Sequence, residues 1–313
     1  MPGTPLKNTA DWLNTKNKMF VSGFTIIRNA QQYDYPVLES LYSLLPLVDE
    51  LVVLVGKSED ATEALIASIG DPKIKIHHSV WDDTLREGGR VLAVETDKAL
   101  ALIDPRADWA FYLQADEVIH EQYYPTIRAA MAHYQNRPEV EGLLFHYTHF
   151  YGSYDYVGAS RRWYRHEIRV VRPQGSLHAY RDAQGFRLSD RKLRVAAIPA
   201  HIYHYGWVKH PALQQAKQRS FHKMWHDDHW LAENIAPVDQ FDYSQVDVLH
   251  HFTGTHPQVM QARIAAQNWQ FSFDPTQARW TPKAKFLYWL EQKTGWRPFE
   301  YQNYRCVTRF TAS

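Results

Sequence analysis

The segment Asp108-Trp109-Ala110-Phe111-Tyr112-Leu113-Gln114-Ala115-Asp116-Glu117-Val118 is an apolar run that stops abruptly at two adjacent carboxylates. At the carboxyl end of a parallel strand, such a carboxylate can hold a divalent cation against a diphosphate, because ligands of open parallel sheets bind at that edge. Ser58-Glu59-Asp60 follows a second aliphatic run, Leu51 to Val55, where its oxygens and the free N–H groups of a following helix share a crevice. Arg28-Asn29 follows a third run, Phe20 to Ile27. Downstream, His178 to Phe186 carries Asp182 in a Gly-containing loop. In His201 to Lys209, alternation puts His201 and Tyr203 on one face and His204 on the other. Each feature also has a plainer reading. Asp116-Glu117 suits a turn and cap, Ser58 to Asp60 a helix cap, Arg28 a surface cation, Asp182 a turn, and a lone His a structural hydrogen bond.

These residues need a scaffold, and the hydrophobic pattern supplies one. Phe20 to Ile27 predicts a strand and Pro36 to Val48 a helix. Leu51 to Val55 predicts a strand, and Ala61 to Ile69 a helix opened by Asp60 and Glu63 spaced as a capping box. Ile74 to His78 and Trp109 to Leu113 predict further strands, separated by a helix from Gly88-Gly89 to Ile103. Alternation of this kind predicts an α/β fold with a mostly parallel central sheet flanked by helices. After a helix over Glu121 to Gln135, the strands Glu141 to Phe150 and Glu167 to Val171 follow each other directly, so the sheet becomes mixed. His210 to His226, Pro257 to Trp269 and Lys283 to Lys293 predict amphipathic helices, and Asn234 to Gln245, with Pro237, a long loop. His222 and His226 lack the Glu of a zinc protease helix, since residue 223 is Lys, and read as a polar face.

Composition narrows the function classes. Hydrophobic residues at 45% and charged residues at 22% are the balance of a folded chain. Lys plus Arg number 35 against 34 Asp plus Glu, so no global field draws the protein to nucleic acid or to an anionic membrane, and any such preference must be local. One cysteine, Cys306, excludes a disulfide framework and a cysteine zinc cluster and suits the cytoplasm. The polar stretch over residues 1–18 lacks a signal-peptide pattern, and no apolar run reaches membrane-spanning length, which leaves only peripheral membrane contact.

Three of these segments together resemble family 2 glycosyltransferases, which have the A-type glycosyltransferase fold. Gln114-Ala115-Asp116-Glu117 is similar to the family's Asp-Ala-Asp-Glu, which places Asp116 on its metal-binding Asp and Gln114 where the first Asp commonly stands. Asp49 to Thr62 is similar to the family's aliphatic strand and Ser-Thr-Asp-Gly-Thr turn, and Thr25-Ile26-Ile27-Arg28-Asn29 to its first strand. The resemblance implies that Thr25, Arg28, Asn29, Ser58, Glu59, Asp60, Gln114 and Asp116 bind the nucleotide sugar. It covers roughly the first 120 residues in order and spacing. Thr96-Asp97 departs from an Arg-Asn that many relatives carry. Arg161 to Arg172 resembles the family's Arg-rich lead-in to the acceptor site, where Arg grips phosphate and Trp163 or Tyr164 stacks on a sugar, and equally an edge strand. His201 to Lys209 is similar to a His-Tyr-Gly-Trp segment, which implies His204 as a second metal contact.

The resulting expectation is an inverting, metal-dependent transfer of a sugar from a nucleoside-diphosphate sugar to a saccharide or lipid-linked acceptor. Mg or Mn is held by Asp116 and His204, and Asp182 is the base, with Asp190 and Glu167 as rivals. Asp116 is expected at an exposed strand end. The catalytic domain spans residues 1–209 (nucleotide half 19–120, acceptor half 121–209), and a helical, aromatic-rich extension covers 210–313. The rival readings are a sugar-phosphate nucleotidyltransferase, whose Gly-rich loop is missing from residues 28–32, and a non-catalytic carbohydrate- or nucleic-acid-binding protein.

Overall fold

A computed structural model of the protein describes residues 19–311 apart from 236, 237, 275, 277, 279 and 280, so the readings of residues 1–18 and of Pro237 lie outside the described residues. The first half alternates as the pattern predicts: β1 (Val21–Ile27), α1 (Val37–Leu44), β2 (Glu50–Gly56), α2 (Thr62–Ala67), β3 (Ile74–Ser79), α3 (Arg90–Leu100) and β4 (Trp109–Tyr112). All residues of β1, β2 and β4 are buried, because helices cover both faces of the sheet. Each fully buried Val or Leu of Leu51–Val55 contributes roughly 1.5–3 kcal/mol relative to exposure. The capping box does not form. Asp60 caps Thr62 as expected, but Glu63 reaches across to His78 at 2.9 Å.

Then come β5 (Glu117–Ile119), α4 (Tyr124–Tyr134), β6 (Gly142–Tyr151), β7 (Ser153–Gly158), β8 (His166–Val171), β9 (Leu177–Tyr180), β10 (Gly185–Leu188), β11 (Arg191–Lys192) and β12 (Arg194–Trp207). Beyond residue 210 lie α5 (Pro211–His222), α6 (Asp228–Asn234), β13 (Leu249–His251), α7 (Gln261–Ala265), α8 (Pro282–Thr294) and β14 (Arg305–Arg309). The main sheet runs β13-β7-β6-β8-β4-β1-β2-β3, with β12 pairing with β6, β5 and β14; β9, β10 and β11 form a small second sheet. Strands β3, β2, β1 and β4 are mutually parallel, and β8 enters antiparallel beside β4. The two strands after residue 210 return to this sheet, β13 against β7 and β14 against β12.

Chain order reverses across β1. The chain steps from β1 outward to β2 and β3, then returns to β4 on the other side. That reversal opens a crevice at the carboxyl ends of β1 and β4, the place where a doubly wound sheet receives a ligand.

Candidate active site

A cleft of about 430 Å³ lies in that crevice. Its floor is the end of β1 and β4, with Ile26, Ile27 and Tyr112; the loop after β3, with Trp81 and Asp83, forms one wall, and Lys217, Phe221 and Met224 of α5 and its following turn form another. Arg28, Asn29, Glu59, Gln114 and Asp116 all line it.

Several of the predicted contacts are engaged in holding the loops, some of them on the cleft wall and some away from it. Asn29 accepts the Glu59 amide through Oδ1 at 2.9 Å, and its own N–H donates to Ser58 Oγ at 3.0 Å, so this pair ties the ends of β1 and β2 together. Asp60 accepts from Thr62 N at 3.0 Å and from Gln32 N at 2.7 Å, which fits its plainer reading as a cap. Ser58 and Asp60 line a separate groove beside His78 and Val80. Thr25 is buried within β1 and is not on the cleft wall. Arg28 does face the cleft, yet its guanidinium is paired with Asp83 at 2.6 Å and lies over Trp81.

Asp116 lies in the turn before β5 and Glu117 begins that strand, and their side chains go to different places. Glu117 is fully buried in a two-pronged pair with Arg169, at 2.8 and 2.7 Å, and also accepts from Tyr147 Oη at 2.7 Å. Asp116 faces the cleft. Its side chain is only 14% exposed, contrary to the exposed strand end expected for it, because α5 packs over it. Lys217 of α5 lies 3.2 Å from Asp116 Oδ2 and also donates to the Gly206 carbonyl at 2.9 Å. Burial pushes the Asp116 carboxyl up, but Lys217, His204 and Lys209 together outweigh it and hold the group well below the usual carboxylate range.

β5 pairs antiparallel with β12, setting His204 opposite Glu117 and bringing His204 Nε2 to 3.6 Å from Asp116 Oδ2. The approach requires Gly206, where a Cβ would lie 2.5 Å from Asp116 Oδ2 and 2.7 Å from His204 Nε2. The ring of His204 is oriented from behind. His149 Nε2 sits 2.8 Å from the Tyr164 carbonyl, which can only accept, so that nitrogen carries the proton. Burial holds His149 well below the usual imidazole range, so it stays neutral and its Nδ1 must accept. His204 Nδ1, 3.2 Å away, therefore donates, which leaves Nε2 facing Asp116, where it meets the carboxylate as an N–H and would meet a cation as a lone pair. An imidazole nitrogen and a carboxylate oxygen thus converge on one point.

Asp182 and Glu167 are not among the residues that line the cleft. Asp182 occupies the turn between β9 and β10, and its Cβ would meet a Cβ placed on Gly89 at 2.8 Å; Gly89 itself has φ +69 at the start of α3. Arg181 (φ 57) and Ala183 (φ 61) flank Asp182 in the left-handed region, a costly arrangement of the kind that clusters at functional turns. Asp97 of α3 accepts the Ala179 amide at 2.6 Å, fastening this turn to α3, so Thr96-Asp97 is a brace here. Burial raises the Asp182 carboxyl. Glu167, fully buried beside it with Oε2 lacking a partner, is pushed up to about 8, by burial above all. Asp190 is exposed in the turn between β10 and β11.

Most of the Arg-rich segment is turned inward, and only Arg162 and Tyr164 of residues 161–172 face outward among its predicted contacts. Arg165 pairs with Glu300 at 2.8 Å and Arg161 with Glu291 at 3.6 Å; Arg169 holds Glu117, and Arg172 donates to Val140 O at 2.8 Å. Trp163 is buried against Gly158. His222 and His226 stack on each other and on Trp230. Lys217, His149 and Trp81 were not singled out in the sequence. No motif marks them, because Lys217 and Trp81 reach the cleft, and His149 the back of His204, only through packing of distant elements.

No family model matches the chain, and no curated protein does. Solved structures to which it is similar include S. aureus TarS 1-349 in complex with UDP (15% identity, 64% of this chain and 64% of that chain, TM-score 0.36). Others are glucosyl-3-phosphoglycerate synthase from Mycobacterium tuberculosis with Mn2+ and UDP (17%, 49% and 52%, TM-score 0.31) and 4-diphosphocytidyl-2C-methyl-D-erythritol synthase from Anaerococcus prevotii (14%, 61% and 92%, TM-score 0.36). The chain spans less than two thirds of the length of TarS.

Proposed function

We propose that the chain is a glycosyltransferase of the family 2 kind that binds a nucleoside-diphosphate sugar in this cleft and transfers the hexosyl group, with inversion, to a saccharide or lipid-linked hydroxyl. One observation carries the reading: at the β1/β4 crevice an ionised Asp116, His204 Nε2 and the Lys217 ammonium meet at one end of a cleft that combines cationic Arg28, Arg86 and Lys223 with apolar and aromatic Ile26, Trp81, Tyr112 and Phe221. A nucleotide sugar asks for this division, with cationic partners for its diphosphate and flat apolar surface for its base.

A divalent ion fits the donor set. Among the described residues no group of three His, Cys, Asp or Glu could hold a metal, so the protein would supply Asp116 and His204, and the diphosphate and water the rest, as is usual for Mg-type sites. The His204 nitrogen suits Mn as well. When bound, the ion supplies charge neutralisation for the departing diphosphate. Lys217 adds a second cation and reaches the phosphates by exchanging its bond to Asp116 for one to the donor.

In the transfer the acceptor oxygen attacks the anomeric carbon as the bond from that carbon to the diphosphate oxygen breaks, and the hydroxyl proton passes to a carboxylate. Asp182 suits this task better than its rivals. Glu167, pushed up to about 8, starts protonated at neutral pH, and Asp190 is exposed on a hairpin. In this reading residues 19–120 hold the nucleotide, 121–209 the acceptor, and 210–313 form an extension whose first helix closes the cleft. Among the described residues no helix is long and apolar enough to cross a membrane. The single, exposed Cys306 suits a reducing compartment, and we place the protein in the cytoplasm.

The test is a thermal-shift series with nucleoside diphosphates, with and without Mn. A ligand that binds only the folded state raises the melting temperature by mass action. At least one base should do so, more strongly with Mn. A melting temperature that none of them moves, in either condition, would overturn the reading.

A further inference from the structure

The last helix carries a surface that the transfer reaction does not use. On α8 the spacing Pro282, Lys285, Phe286, Trp289, Lys293 follows one helical face, and all five are exposed. Of the exposed large apolar side chains among the described residues, Phe286, Trp289, Trp296, Phe299 and Tyr301 fall within one short stretch of chain, whereas the others are scattered. Exposed apolar residues are ordinary when single; gathered like this they mark a contact surface.

The charges of the stretch are sorted as well. Both of its acids turn inward: Glu291 towards Arg161, Arg165 and Arg297, and Glu300 onto Arg165 and Arg297. Lys283, Lys285 and Lys293 turn outward, and Arg181 and Lys192 lie over the Tyr301 ring. The outer surface is therefore aromatic and cationic, although the whole chain is nearly neutral.

The stretch is also held firmly. Arg297 donates to the Trp163 carbonyl at 2.8 Å, and Arg161 donates to the Pro298 carbonyl. Between these anchors Phe299 has φ 62, a costly conformation for a bulky side chain, and is 94% exposed. A strained backbone here presents a ring to water.

We propose that this face docks the protein on an anionic lipid surface, the aromatic rings entering the headgroup layer while the lysines meet the lipid charge. A second copy of the chain is the poorer occupant. A two-fold contact through α8 would set Lys285 and Lys293 against the same lysines of its partner. Single-stranded nucleic acid also takes aromatic and cationic contacts, but it is tracked along a groove, and these rings stand out on a helix.

The test is co-sedimentation of the full chain with vesicles of phosphatidylcholine alone, and of phosphatidylcholine with about a third phosphatidylglycerol. Binding is expected to the anionic vesicles only, with a blue shift of tryptophan emission, and should weaken as salt is added. Phe286→Ala with Trp289→Ala should reduce partitioning by at least about tenfold, and Lys285→Gln or Lys293→Gln by about fivefold each. These side chains are exposed, so thermal unfolding should be unchanged, which separates lost docking from lost folding. Failure of the wild-type chain to bind anionic vesicles overturns the proposal, and so does equal binding by the variants. A concentration-dependent dimer that the Phe286 and Trp289 changes abolish assigns the face to a second copy instead. Retention on a single-stranded oligonucleotide but not on vesicles assigns it to nucleic acid. None of these results bears on donor binding in the cleft.

Discussion

The cleft and the cluster behind β8 treat their carboxylates in opposite ways. Asp116 is buried under α5 yet held ionised, because Lys217, His204 and Lys209 surround it. Glu167 is equally buried with Arg169 as its main cationic influence, and that cation is already committed to Glu117, so burial prevails and the group rests near 8. Asp182 is also raised by its burial. Burial alone therefore fixes neither charge state; the placement of cations does. A molecule that keeps one buried acid charged and lets others take up protons separates cation binding from proton uptake.

The comparison breaks most decisively at Asp182. Asp182→Asn keeps the shape and removes the base, so turnover should fall ~10²–10⁴-fold while donor affinity by calorimetry hardly moves. Turnover at the wild-type rate would return Asp182 to the role of a turn residue. Retention of the donor's anomeric configuration, read by NMR of the product, would remove the single-base mechanism altogether.

Asp116→Ala probes the charged member. It should abolish metal-dependent donor binding, and it should also destabilise the fold by ~3–5 kcal/mol, because Lys217 is left buried without its partner. Adding Lys217→Met should restore most of that stability and none of the binding, as denaturant unfolding and calorimetry would show. An Asp116→Ala chain as stable as wild type would mean that the pair carries no weight.

Glu167 sharpens the contrast through pH. Its folded value lies above the unfolded one, so the folded state binds the extra proton, and this stabilisation is full below about pH 4.5 and lost as pH rises towards 8. Glu167→Gln should remove that decline and make the protein more stable at pH 8 by a few kcal/mol. Parallel stability curves for variant and wild type across this window would contradict the assignment.

His149 tests the smallest step, the orientation of His204. His149→Phe should weaken Mn affinity, measured by paramagnetic resonance without substrate, by ~10–100-fold, whereas His149→Gln, able to donate to Tyr164 and accept from His204, should recover part of it. Equal losses in both variants would make His149 a packing residue.

Much of this molecule was legible in the order of its residues. Continuous apolar runs and helical spacings located β1 to β4 and the helices between them, because a strand covered on both faces must be apolar throughout. That ligands would sit at the carboxyl ends of these strands followed from the alternation, and the resemblance grouped Arg28, Asn29, Glu59, Gln114 and Asp116, which share one cleft, but the reversal across β1 is seen only in the strand order. Short strands such as β5, β13 and β14 carry too few residues for a period to register, and they were not foreseen.

Sequence alone thus determined which carboxylate ends β4, since that depends on local pattern. It did not determine which carboxylates are charged. Glu117 and Asp116 are neighbours of the same chemistry, and only the packing of Arg169 beneath one and Lys217 over the other separates a buried structural pair from a cation-binding group. The same holds for Ser58 and Asp60, which the turn consumes, and for His204, whose Nε2 is aimed by a histidine 55 residues away in sequence. Electrostatic roles are set by distances between elements remote in the chain, and those distances exist only once the sheet has closed.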